Sequence, residues 1–204
     1  MVKIAVLVSG GGTNLQALID AEKRGELGFG KLTICISSND KAYALTRAQN
    51  HHMKTAVVSR KACAALDDYA QALLDVLRAE NIELIILAGF LTILPTAVIT
   101  QYRDRIINVH PSLIPSFCGE GFYGLKVHEA ALDYGVKVTG ATVHMVSEVV
   151  DGGRILLQKA VDVLEDDTPE TLQKRVMQQA EWQLLPKAAA ILCDDIVREK
   201  ERKN

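Results

Sequence analysis

Short apolar runs alternate with stretches of helical periodicity along most of this chain, and that alternation constrains the fold class more than any other feature. Lys3 to Val8 is a short apolar run that reads as a buried first strand, and Leu32 to Ser37, Thr55 to Val58, Leu84 to Leu87 and Ile106 to Val109 read as further strands. Helical patterns lie between them. Leu15, Leu18 and Ile19 share one face of a first helix, and Thr13 with Gln16 has the spacing of a capping box. Lys41 to Asn50 reads as a second helix, and Tyr69, Leu73, Val76 and Leu77 mark the buried face of a third that opens near Asp67. A short helix follows Pro95. Such alternation implies an α/β protein with a mainly parallel twisted sheet, helices on both faces and right-handed crossovers, a Rossmann-like fold.

The second half changes character. Ser116 to Gly124 is glycine-rich and aromatic and reads as a loop, followed by a helix from Leu125 to Tyr134. Val138 to Val146 and Ile155 to Val163 read as two strands joined by Ser147 to Gly153, an antiparallel pair at the sheet edge or across the site. Thr168 caps a long helix starting at Pro169. Pro186 is expected to interrupt it, leaving a terminal helix from Lys187 to Arg198 and a fraying charged tail. No repeat, linker or domain boundary is visible, so residues 1–204 are expected to form a single domain.

Composition excludes several classes. The 23 basic and 25 acidic residues leave a formal charge of −2, without the basic excess that nucleic-acid binding usually needs. No apolar run approaches the ~18 residues of a membrane span, so a soluble cytoplasmic protein is expected. Cys35, Cys63, Cys118 and Cys193 are widely separated, which reads as reduced thiols rather than a metal site or disulfides. His51 and His52 are adjacent and face different directions, as surface histidines do.

Two segments carry chemistry. Gly10-Gly11-Gly12-Thr13-Asn14 joins the first strand to the first helix, where glycines allow close backbone approach and the helix N-terminus favours an anion. The same spacing also suits a tight turn with no ligand. A dinucleotide fingerprint would need glycine where Leu15 stands, and a Walker loop would need a lysine followed by Ser or Thr. The other segment is Ile107-Asn108-Val109-His110-Pro111-Ser112, which sets an amide and an imidazole on one face of a strand near its C-terminal end. Ligands of open α/β sheets sit beyond such ends. Each residue alone could be structural, and Asp151 before Gly152 and Gly153 could be a turn residue. Together Asn108, His110 and Asp151 would make a proton-transfer and oxyanion set.

These residues sit within segments that resemble one family over nearly the whole chain. VLVSGGGTNLQALIDA, LAGFLTILP, INVHPSLIP and VHMVSEVVDGGRILLQ, in that order, are similar to the phosphoribosylglycinamide formyltransferases, folate-dependent enzymes of purine synthesis. The resemblance implies formyl transfer from 10-formyltetrahydrofolate, a cosubstrate, to the amine of glycinamide ribonucleotide. It implies no bound cofactor and no metal. Partners would be these two small molecules, without nucleic acid or membrane, the chain acting as monomer or homodimer. It assigns Asn108, His110 and Asp151 to catalysis, with the Asp151 charge raising the pKa of His110. Gly11, Gly12, Thr13 and Asn14 would hold the substrate phosphate, and Glu181, matched with a one-residue shift, its ribose. Leu91, Thr92, Ile93 and Leu94 would form part of the folate pocket, and Ser147, Glu148, Val149 and Val150 would meet the pterin through backbone groups. Three positions depart from the family pattern: Thr92 replaces an arginine near the phosphate, Cys118 replaces a proline, and a folate-touching arginine has only Arg60, out of register, as its counterpart. A formyltetrahydrofolate hydrolase would use the same set with water as acceptor, and a methionyl-tRNA formyltransferase would add an RNA-binding domain. No segment of these 204 residues reads as the extra domain of either. A binding module that has lost its chemistry is the rival of another class, and the intact set weighs against it.

Overall fold

The computed structural model describes residues 1–203. Seven strands form one sheet: β1 (Val2–Val8), β2 (Gly30–Ser37), β3 (Lys54–Val57), β4 (Leu84–Leu87), β5 (Ile106–His110), β6 (Val138–Met145) and β7 (Ile155–Asp162). Their order is β3-β2-β1-β4-β5-β6-β7. Pairings from β3 through β5 are parallel, whereas β5–β6 and β6–β7 are antiparallel, so the sheet is mainly parallel with antiparallel strands in the C-terminal half.

Period-two alternation sorts the side chains. Val2, Ile4, Val6 and Val8 of β1 enter one apolar cluster, and Ala5 and Leu7 enter another; Leu84 and Ile86 of β4 separate from Ile85 and Leu87 in the same way. The first cluster is covered by α1 (Thr13–Lys23), α2 (Tyr43–Asn50), α5 (Leu125–Tyr134), α6 (Pro169–Val176) and α7 (Trp182–Lys203). The second is covered by α3 (Leu66–Ala79) and α4 (Thr96–Gln101). Each fully buried Leu or Ile contributes about 1.5–3 kcal/mol. Chain direction across the sheet reverses between β1 and β4, and at such a switch point a crevice opens beyond the strand ends. The glycine loop after β1 and Gly89 after β4 meet there, the Ser9 N–H donating to the Gly89 carbonyl at 3.0 Å.

Three local expectations are corrected. Thr13 does not cap α1; Gly12 does, at φ 73°, and Gln16 turns its side chain to Asp20, His51 and Arg47 instead. Pro186 does not interrupt the last helix, which runs unbroken from Trp182 to Lys203 and so extends past Arg198. The break lies one turn earlier, in the π-helical turn Met177–Glu181. Among the described residues no helix is long and apolar enough to cross a membrane.

Candidate active site

Asn108 pairs with Leu87 of β4, which in turn pairs with Leu7 of β1, so it sits level with the ends of both strands at the switch point, and His110 ends β5 just beyond. Their side chains share a face, as the two-residue spacing requires. Asp151 reaches them from the β6–β7 connection. It stands at φ 54°, a left-handed conformation that Asp tolerates better than most residues, in a turn closed by the Gly152 N–H on the Val149 carbonyl. Gly153 is required by packing: a Cβ there would lie 1.7 Å from the Met145 carbonyl oxygen. The two glycines therefore fix where the carboxylate points.

The carboxylate meets four groups. Oδ2 accepts the Gly119 N–H at 2.9 Å and lies 3.4 Å from His110 Nδ1; Oδ1 lies 3.5 Å from Asn108 Nδ2 and 3.5 Å from His144 Nε2. Burial pushes the Asp151 pKa up, but His144, the Gly119 N–H and the nearby imidazoles outweigh it and hold the carboxyl below its usual range. His110 is 4% exposed, and its Nε2 lies 2.9 Å from the Phe117 carbonyl. A carbonyl only accepts, so Nε2 carries a proton in this arrangement. The net pKa of His110 is lowered nonetheless. Burial lowers it most; the Phe117 carbonyl and Asp151 pull upward without winning, and His144 lowers it further. The Asp151 contribution thus has the expected sign but is smaller than desolvation.

His144 was missed by sequence reasoning. It is paired with Asn108 across β5–β6, and its Nε2 lies 3.1 Å from Asn108 Nδ2. Only a register between β5 and β6 would have revealed it. The loop from Ser116 to Gly124 is folded against the set, since Phe117 and Gly119 bond His110 and Asp151 through their backbone.

The glycine loop carries the second part of the site. Gln16 N–H to Gly12 carbonyl is the first intrahelical bond, so the amides of Thr13, Asn14 and Leu15 have no partner within the helix, and no side chain caps that end. Gly11 offers open space, whereas Gly12 is the glycine the turn needs: a Cβ there would lie 2.6 Å from Ala44 Cβ. Arg47, also missed, lies against this loop, its Nε donating to the Gly11 carbonyl at 2.8 Å and its Nη1 to Gln16 at 3.2 Å. Asn14 and Glu181 come together from opposite ends of the chain, Nδ2 donating to Oε2 at 2.6 Å in a buried pair. Burial raises the Glu181 pKa to about 7 against the opposing Asn14 hydrogen bond. The π-helical turn delivers Glu181 to that position, and Thr13 Oγ1 touches Met177 Sδ in the same turn.

The expected folate segments divide. Leu91 and Ile93 are 62% and 72% exposed, and Val149 and Val150 are exposed as well. Leu94 is instead a core residue of the second cluster, against which the partly buried Phe90 also packs. Its side chain therefore does not face an open pocket. Thr92 is half-buried, Glu148 is exposed, and Ser147 Oγ donates to the Val149 carbonyl, closing its own turn. Arg60 donates to the Cys63 carbonyl at 3.0 Å, and Cys118 Sγ to the Pro115 carbonyl at 3.3 Å. Among the described residues no group of three or more His, Cys, Asp or Glu side chains has the geometry to hold a metal ion.

Residues 2–189 match the formyl transferase family. A phosphoribosylglycinamide formyltransferase of Vigna unguiculata, named as chloroplastic, is 36% identical over 95% of this chain and 61% of its own length. The trifunctional purine biosynthetic protein adenosine-3 of Gallus gallus is 39% identical over 97% of this chain and 19% of its own. The chain thus spans less than two thirds of both curated relatives. The crystal structure of glycinamide ribonucleotide transformylase 1 from Symbiobacterium toebii superposes with a TM-score of 0.89 at 37% identity, covering 96% of this chain and 89% of that one. With the glycine loop, the Asn108–His110–Asp151 set and the whole sheet inside the matched region, the chain belongs to the formyl transferase family, in its phosphoribosylglycinamide formyltransferase branch.

Proposed function

We propose that this chain transfers the formyl group of 10-formyltetrahydrofolate to the amine of glycinamide ribonucleotide. The observation that carries this reading is the convergence of Asn108 and His110 within 3.5 Å of the Asp151 carboxylate beside the switch point, with an uncapped helix N-terminus at the end of β1, two strands away across β4. The substrate phosphate binds the loop Gly11, Gly12, Thr13 and Asn14 through amides of the first turn, and Arg47 supplies a cation beside it in place of the arginine absent at Thr92. The ribose hydroxyls take over the polar groups of Glu181 and Asn14. Folate lies along Leu91, Thr92 and Ile93, with the pterin meeting backbone groups of Ser147, Glu148, Val149 and Val150; Leu94 supports this segment from the core.

In the reaction the amine attacks the formyl carbon and the carbonyl oxygen becomes an oxyanion. An Asn108 N–H donates to that oxygen. The His110 Nε2–H, released from Phe117, stabilises it and then protonates the departing folate nitrogen as the C–N bond breaks. The proton shed by the amine passes through water to Asp151 and on to His110 Nδ1 as Nε2 gives up its own; after product release the ring returns the Nδ1 proton to solvent and takes one at Nε2, which restores the starting tautomer. 10-Formyltetrahydrofolate is a cosubstrate, and apart from the relaying water every group these steps need belongs to the protein or the substrates. A single domain of residues 1–204, a cytoplasmic setting and a monomer or homodimer complete the reading.

An assay with 10-formyltetrahydrofolate, with and without glycinamide ribonucleotide, tests it. Formyl transfer requiring the ribonucleotide is expected; hydrolysis without it would mean a hydrolase, and binding without turnover a ligand-binding module. His110→Ala should fold normally and lose roughly two to four orders of magnitude in kcat, the contribution of a positioned acid–base group. Near-normal kcat in the purified variant would remove His110 from the mechanism.

A further inference from the structure

His144 touches both Asn108 and Asp151, yet the chemistry above gives it no task. It is 2% exposed. Its Nδ1 lies 2.9 Å from the Met145 carbonyl, which only accepts, so Nδ1 carries a proton. Its Nε2 lies 3.1 Å from Asn108 Nδ2, which only donates, so Nε2 presents a lone pair. The alternative, a proton on Nε2 given to Asp151 Oδ1 and so helping to hold that carboxyl down, spans the longer separation of 3.5 Å and is the arrangement that the tautomer measurement below is set against.

This arrangement decides which way the Asn108 amide faces. Turned by 180°, its oxygen would replace Nδ2, 3.1 Å from the Nε2 lone pair and 3.5 Å from a carboxylate oxygen, two repulsive neighbours. In the observed orientation one amide hydrogen is held by His144. The other reaches only the distant Asp151 Oδ1, at the limit of a hydrogen bond, and remains available to a developing charge.

We propose that His144 is a positioning residue for the transfer step: a fixed acceptor that holds the Asn108 amide with its second N–H free for the oxyanion. This rests on the formyl-transfer reading. An oxyanion donor contributes because its dipole is oriented before the reaction begins, so a residue that sets that orientation affects the transition state more than substrate binding.

The test compares His144→Phe, which keeps a ring and removes the acceptor, with His144→Gln, which can place an oxygen near the former Nε2. Both are measured for kcat and for the KM of each substrate, with thermal melting to report folding. His144→Phe should lower kcat by about tenfold to a hundredfold with each KM within about twofold, and His144→Gln should recover most of the loss. The double variant Asn108→Ala with His144→Phe should lose far less than the product of the two single losses, because His144 acts chiefly through that amide. Wild-type kcat in His144→Phe, equal losses in the Phe and Gln variants, a loss confined to KM, or losses that multiply in the double variant would each overturn the proposal. Nitrogen-15 NMR of the wild-type imidazoles provides a readout that needs no variant to fold. A protonated Nδ1 with a bare Nε2 on His144 supports the assignment, and an Nε2–H at assay pH overturns it. A wild-type chain that transfers no formyl group defeats the functional reading instead, while the tautomer measurement still decides the arrangement.

Discussion

At the scale of single residues, two carboxyls are driven in opposite directions by their surroundings. Asp151 is held below its usual pKa by donors and imidazoles, and Glu181 is raised to about 7 by burial beside a single amide. Asp151→Asn should keep the turn, because Asn tolerates positive φ as well as Asp does. It removes the charge that pulls the His110 pKa upward, so the histidine should titrate at still lower pH by NMR and kcat should fall about a hundredfold or more. An unmoved titration with wild-type turnover would leave Asp151 as a turn residue. Glu181 gives a prediction about stability. Its folded pKa is above the ordinary 4.5, so its contribution is fully present below that value and is lost as pH rises through about 7. Glu181→Gln keeps an acceptor for Asn14 and cannot ionise. Urea unfolding should show it on the order of 2–3 kcal/mol more stable than wild type near pH 9 and close to equal near pH 5. Substrate affinity should fall in the same variant. Parallel stability curves across that range would refute the buried-acid account.

At the scale of elements, the expected glycine contributions must be divided. The loop Gly10-Gly11-Gly12 read from sequence as one phosphate cradle, yet only Gly12 has positive φ and a neighbour, Ala44, where its Cβ would go. Gly12→Ala should therefore destabilise the strand–helix turn by about 2 kcal/mol or more and lower Tm. Gly11→Ala meets nothing within 4 Å, so Tm should hold while affinity for the ribonucleotide drops. Calorimetric melting and substrate titration separate the two, and an equal Tm loss in both variants would contradict the geometry. Element existence was legible because the apolar runs are short, the central ones β1 and β4 nearly all buried, and are separated by helical periodicity. Boundaries and caps were less so. The Thr13–Gln16 pattern is a genuine capping-box spacing, but it sits one residue inside a helix whose cap is a glycine. The π-helical turn at Met177–Glu181 has no periodic signature, so Pro186 took the blame for a break that lies before it.

At the scale of the whole molecule, the candidate set was legible where one segment contains it, as with Asn108 and His110, and illegible where pairing creates it. His144 and Arg47 enter the site through strand register and through packing of α2 on the glycine loop, neither of which a linear pattern carries. Asp151 became assignable only because its resemblance to a family placed it beside His110. The same packing that gathers these groups also buries one histidine without a hydrogen-bond partner among the described residues, and it makes the fold acid-sensitive. His128 on α5 is 1% exposed, and neither of its ring nitrogens has a hydrogen-bond partner among the described residues. Burial, with a further contribution from His110, lowers its pKa to about 4. Between that value and the ordinary 6.5 the unfolded chain binds a proton that the folded chain refuses, so stability falls as pH drops through this window. The full effect is on the order of 3 kcal/mol, a large share of the stability of a typical domain. His128→Leu removes both the titration and the unpartnered nitrogens. Urea unfolding at pH 7 and pH 4.5 should show a smaller loss of stability on acidification in this variant than in wild type, with stability at pH 7 equal or higher. The same acid loss in both proteins would mean that His128 finds a partner in solution and that the acid sensitivity of the fold resides elsewhere.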